Sequence, residues 1–261
     1  MGLVTRSLAP TGSGTREPHL VHKRPRLLLA TGLFGLLLAV APPQGAQAQT
    51  LLDVAKAAQQ TGQAIFGSSE FKSASLRALP QWRGVLSRMD REREGLELCL
   101  AAAEACGSSD QRALSEMIAR SKDLDRREKL KRVNLFFNRW PYREDRATYG
   151  KREHWASPTE FMTSSGDCED YAIAKFFALR RMGFNNEELR IVVLWDRIRA
   201  IGHAVVAVYD GDEILILDNL SPMVTSHWRY SHYIPQYSMN ETARWAHVHT
   251  KKIPALLAQR D

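Results

Sequence analysis

The feature that most limits what this chain can become is a change of period after Gly183. Before it, apolar residues recur at the spacing of an amphipathic helix. After it they alternate or run on, as in strands. Residues 81–105 carry Trp82, Val85, Leu86, Met89, Leu96 and Leu100 at helical spacing, with Gly95 as a candidate break. Residues 110–140 read as one long amphipathic helix whose charges form a solvated face, ended by Pro141. Residues 142–166 read as an ordered loop with short turns, and helix resumes from Cys168 to about Met182 with Gly183 as its stop. Three strand candidates follow, at 188–198, 202–210 and 212–220. Asp-Gly-Asp at 210–212 is a tight turn, so the second and third should pair antiparallel. The aromatic-rich tail is expected to pack back over that sheet. Helices first and consecutive strands later indicate an α+β domain.

The N-terminus reads as an export signal. His-Lys-Arg-Pro-Arg at 22–26 precedes an uncharged apolar run at 27–41, and Ala-Gln-Ala at 46–48 is a small-x-small cleavage pattern. The run is short for a membrane span, which needs about 20 residues. The organisation expected is a signal peptide at 1–48, a leader of the mature chain at 49–80 and one folded domain at 81–261. Cleavage would leave no stable membrane insertion and deliver the chain to an oxidising space outside the cytoplasm. The chain carries a formal +7, of which the first 48 residues hold +4. The remaining +3 is no basis for nucleic-acid binding. An oxidising destination favours a disulfide. Cys99 and Cys106 are close enough in sequence to close a small loop, which leaves Cys168 as a single thiol; the alternative is three buried, reduced cysteines.

Cys168 is the residue to explain. It opens a helix, where backbone N–H groups and the helix dipole favour a thiolate. Yet Asp167, Glu169 and Asp170 surround it, and negative charge suppresses a thiolate. Either the cysteine is inert core, or a positive group neutralises the acids. His203 near the start of one strand and Asp218 near the end of the next should be neighbours across the short turn. Cys168, His203 and Asp218 thus supply a nucleophile, its imidazole partner and an acceptor to orient the ring. Each also has a plain structural reading: a packed cysteine, a satisfied strand histidine, a turn aspartate.

The stretch Gly-Asp-Cys-Glu-Asp-Tyr-Ala-Ile-Ala-Lys-Phe-Phe from Gly166, then Gly-His-Ala-Val-Val-Ala-Val from Gly202 and Leu-Asp-Asn from Leu217, resembles the bacterial transglutaminase-like cysteine proteinases. His-Trp-Ala-Ser-Pro-Thr-Glu-Phe from His154 and Tyr-Ile-Pro-Gln-Tyr-Ser-Met-Asn-Glu from Tyr233 extend the likeness over roughly residues 80–248. The resemblance implies a papain-like, transglutaminase-type fold with the catalytic cysteine at a helix N-terminus packed on an antiparallel sheet. It places the catalytic triad on Cys168, His203 and Asp218. Its LapG-type periplasmic members cut large adhesins from the cell surface and are held by an inner-membrane receptor that reads a cyclic dinucleotide. They bind calcium beside the cysteine, which here implies Asp167, Glu169 and Asp170 as ligands of Ca²⁺, a cation suited to clustered carboxylates. Three other readings share these residues: an acyl transferase joining amide to amine, a binding module without catalysis, and a zinc site made by the triad itself. The last lacks the closely spaced ligands zinc sites often carry.

Overall fold

A computed structural model describes residues 64–249 of the chain. The expected signal peptide at 1–48 and the start of the mature leader lie outside the described residues. Among the described residues no helix is long and apolar enough to cross a membrane.

Helix α1 spans Pro80–Ala101, with proline in its first turn where no N–H is needed, and buries Trp82, Val85 and Met89. Gly95 lies inside it without breaking it. The helix expected to 105 ends at Ala101, and a short 3₁₀ turn, Ala103–Ala105, follows. Cys99 and Cys106 form a disulfide across that turn.

The single helix expected over 110–140 is two: α2 at Ser109–Arg120 and α3 at Arg126–Phe137. Ser121 turns back onto the end of α2, its Oγ donating to Met117 O at 2.6 Å. Asp125 then starts a new helix by accepting the Glu128 N–H at 2.9 Å. Both halves keep their apolar faces inward, which is why the period survives the break. The stretch read as a loop over 142–166 contains two short helices, α4 at Asp145–Tyr149 and α5 at Pro158–Ser164. A reciprocal cap between Ser157 and Glu160 starts α5. Helix α6, Cys168–Arg181, follows, and Gly183 beyond it takes φ 90°.

The sheet is larger than the three strands expected. Among the described residues it has seven, all antiparallel: β1 Ser69–Ser73, β2 Leu189–Asp196, β3 Ile201–Asp210, β4 Glu213–Leu217, β5 Thr225–Ser226, β6 Tyr233–Met239 and β7 Arg244–Val248, in the order β1-β7-β6-β2-β3-β4-β5. The tail therefore does not pack over the sheet; it supplies β6 and β7. Pro235 within β6, beside a register shift against Val193 and Leu194 of β2, interrupts the alternation that would have marked a strand.

Both faces of the central strands are buried. Val206, Val208, Leu215 and Leu217 join the main core with Trp82, Phe137 and Phe176 from the helices. Val205, Ala207, Ile214 and Ile216 form a second core with Ile65, Phe66 and Tyr233. Ile65 and Phe66 strap this second face just before β1. Glu70 of β1 anchors the strap: its carboxylate meets Arg190 of β2 at 2.5 Å and accepts the Ile65 N–H at 3.3 Å.

Candidate active site

Asp167 precedes α6, so Cys168 is the first helical residue. Strand β4 pairs with β3 only from Val206 onward, which leaves the edge of β3 open before that point. There the Ala204 backbone amide lies close enough to Cys168 to pull its pKa down. Burial and the charges of Glu169 and Asp167 outweigh this and push the thiol well above its ordinary value. The thiol itself donates to Glu169 Oε2 at 3.2 Å.

His203 lies one residue before Ala204 and is 3 % exposed. Its Nε2 meets Asp218 Oδ1 at 2.9 Å, so the two residues expected to be neighbours are hydrogen-bonded. The short β3–β4 turn fixes this register, with Val206 opposite Leu217 and Asp218 one residue beyond. Asp218 takes two further hydrogen bonds, from the Tyr233 hydroxyl at 2.7 Å and the Leu220 N–H at 2.9 Å. Burial works to raise its pKa, but the bonds from His203, Leu220 and Tyr233 hold it below the usual carboxylate value. The pair sits on the side of the sheet that carries Tyr233 and the second core, and the His203 and Tyr233 rings are 5.7 Å apart. The sulfur arrives from the helix side, at the open edge of β3.

The acids around the cysteine divide into two groups. Asp167, Cys168 and Glu169 bring ligand atoms within 4.8 Å of one another, and so do Asp145, Asp167 and Asp170. Asp167 belongs to both. Asp170 is 0 % exposed; it accepts the Ala156 N–H at 2.6 Å and the Asp167 N–H at 3.2 Å. A side chain on residue 166 would place its Cβ 2.0 Å from Asp170 Oδ2, so glycine is required there. Burial, followed by the neighbouring acids, pushes Asp167 up to about 9, while burial raises Asp170 to about 8 and also raises Glu169 and Asp145. Among the described residues, Asp167 Oδ1 and Asp145 Oδ1 are buried without a hydrogen-bond partner. Clustered carboxylates, two of them with orphaned oxygens, are a donor set that fits a hard divalent cation such as Ca²⁺.

Two residues of the site, Asp145 and Tyr233, carry no signal of their role in the sequence. Asp145 lies in a stretch without periodicity. It reaches the site because Tyr142 bridges to Gly166 and the Arg143 N–H donates to Gly166 O at 2.9 Å. Tyr233 lies in the strand that Pro235 concealed.

The family model described as bacterial transglutaminase-like cysteine proteinase matches residues 94–253. Among solved structures, Legionella pneumophila LapG is 30% identical, with a TM-score of 0.51 over 58% of this chain and 87% of that one. Its calcium-bound form gives 0.52 over the same shares, and its EGTA-treated form 0.51 over 58% and 84%, both at 30% identity. Comparison with curated protein sequences finds no match. The open-edged strand, the cysteine-led helix and the match over most of the described domain lead to one conclusion: this chain belongs to the bacterial transglutaminase-like cysteine proteinase family.

Proposed function

We propose that the protein is an exported, Ca²⁺-dependent cysteine endopeptidase with Cys168 as nucleophile, His203 as its acid–base partner and Asp218 as the residue that orients His203. The observation that carries this reading is the 2.9 Å His203–Asp218 hydrogen bond, with Ala204, the next residue after His203, close enough to Cys168 for its backbone amide to lower the thiol pKa. Because Nε2 of His203 is committed to Asp218, Nδ1 is the nitrogen left for the thiol.

In this mechanism the Cys168 thiol gives its proton to His203 Nδ1, and the thiolate sulfur attacks the scissile carbonyl carbon. The tetrahedral oxyanion is held by backbone N–H groups, that of Cys168 being the first candidate. The C–N bond breaks as imidazolium His203 protonates the departing amine. Water then attacks the thioester with His203 as base, releasing the acid and restoring the thiol. Asp218 stays ionised and holds the ring throughout.

Asp167, Glu169 and Asp170, joined by Asp145, would hold the calcium ion. Bound there, it supplies positive charge that offsets the acids and so favours the thiolate. Glu169, drawn toward such an ion, would no longer serve as the acceptor that the Cys168 thiol uses at 3.2 Å, leaving that proton for His203. The calcium-bound and EGTA-treated forms of Legionella LapG support this reading.

The family likeness favours a large surface adhesin as substrate, the periplasm as location and an inner-membrane, cyclic-dinucleotide-responsive receptor as regulator. The test is mass spectrometry of surface proteins shed in the presence of the wild-type enzyme, of Cys168→Ala, and of wild type with a calcium chelator. Defined fragments with wild type alone support the proposal. Fragments that persist with Cys168→Ala remove Cys168 from the nucleophile role.

A further inference from the structure

We propose that Lys175 and Asn134 are positioning residues that set where the His203–Asp218 pair stands relative to the cysteine helix; this rests on the catalytic reading above. Lys175 lies seven residues after Cys168 on α6, close to the same helical face. It is 1 % exposed, and its Nζ donates to Asn134 Oδ1 of α3 at 2.8 Å. Asn134, 0 % exposed, passes the connection on: its Nδ2 donates to Ser221 O at 2.8 Å. Ser221 closes the turn that begins at Asp218, its N–H reaching Asp218 O at 3.4 Å. One helical turn on, at the residue that caps the C-terminus of α3, Asn138 Nδ2 donates to both Asp218 O and Ser221 O at 3.0 Å. A continuous polar relay therefore runs from the cysteine helix, through α3, to the turn whose first residue holds His203.

The relay sits in apolar surroundings where a hydrocarbon side chain would be the simpler solution. A buried amine is costly without a partner. The groups that face Lys175 are Asn134 from α3, the Tyr171 ring 5.9 Å away on its own helix and the charge of Asp218 from the end of β4. Burial pulls the lysine down to about 7, and Asp218 opposes that shift. Asn134 uses both ends of its amide, so neither a carboxylate nor an aliphatic residue can replace it in the relay.

The test uses the calcium-loaded full chain labelled with ¹⁵N-histidine. Two readouts are followed: the downfield Nε2 proton resonance of His203, and the rate of Cys168 alkylation by iodoacetamide, read by mass spectrometry. Lys175→Met removes the ammonium. Asn134→Asp keeps an acceptor for Lys175 but loses the donor to Ser221. Asn138→Ala cuts the parallel tie. In folded variants the resonance is expected to broaden or vanish and alkylation to slow about tenfold or more, as when a reacting pair is displaced. Should Lys175→Met fail to fold, the two asparagine variants decide. Folded variants with the wild-type resonance and rate overturn the proposal. His203→Ala serves as the separate control: if it alkylates at the wild-type rate, the catalytic reading fails while the resonance still judges the relay.

Discussion

Replacing Glu70 by alanine should unfasten the N-terminal strap from the sheet. Glu70 Oε2 lies 2.5 Å from Arg190, whose guanidinium is sandwiched between the rings of Trp245 at 3.8 Å and Tyr209 at 4.3 Å. Glu70 Oε1 also accepts from Ile65 N and the Tyr209 hydroxyl. The truncation therefore leaves a largely buried guanidinium unpaired and frees the Ile65 N–H. Breaking a buried ion pair by deleting one partner costs about 3–5 kcal/mol. At about 2–4 °C per kcal/mol for a domain of this size, the melting temperature should fall by roughly 6–20 °C. Thermal and urea unfolding of wild type and Glu70→Ala measure this. The double variant Glu70→Leu, Arg190→Met should recover much of the loss, since neither charge is then left alone. A Glu70→Ala variant within about 1 kcal/mol of wild type would refute the argument, by placing the pair in the weak class of exposed bridges. The effect should also reach the site, because Phe66 packs against Tyr233 at 5.7 Å and Tyr233 donates to Asp218.

His247, hydrogen-bonded to Ser68 and Ser238, is held neutral by burial and lowered to about 4. The unfolded state therefore binds the proton first, and the stability that His247 contributes is lost as pH falls from about 6.5 toward 4; the stability difference between wild type and His247→Gln across that window should show this slope. In chelator the raised pKa values of Asp167 and Asp170 give the opposite sign, so stability should fall as pH rises from about 4 to about 9, and saturating Ca²⁺ should abolish that trend in melting curves. Reducing the Cys99–Cys106 disulfide opens a loop with a sequence separation of 7, for which chain entropy gives a loss of about 2–3 kcal/mol, checked by urea unfolding of a Cys99→Ala, Cys106→Ala double variant. Tyr233→Phe removes one of the donors to Asp218 and should slow peptide hydrolysis through kcat, with KM little changed.

The sequence made the core of the site legible because its parts are local. A cysteine after an aspartate starts a helix within a few residues, and a two-residue turn at Gly211 and Asp212 fixes the register that joins His203 to Asp218. The parts brought in from afar left no such mark. Asp145 depends on a single bridge between Tyr142 and Gly166, and Tyr233 sits in a strand whose alternation Pro235 disrupts. Strand β1 falls within the stretch expected as leader, because five residues at a sheet edge carry too little periodicity to stand out. The break between α2 and α3 was hidden for the opposite reason: the apolar stripe continues through it, and only the Asp125 cap betrays a new start.

Strand β1 pairs with β7, Ser69 opposite Val248. The residues just before β1 leave that margin and cross the second face, where the Phe66 N–H donates to His227 Nδ1 at 2.9 Å and the Phe66 ring packs on Tyr233 at 5.7 Å. The two ends of the described chain therefore differ: one stands over the face that carries the His203–Asp218 pair, and the other leaves from β7, three strand spacings from β3, about 14 Å at roughly 4.8 Å each. A fluorophore placed at the first reports on that face, and one placed at the second is a remote reference for it.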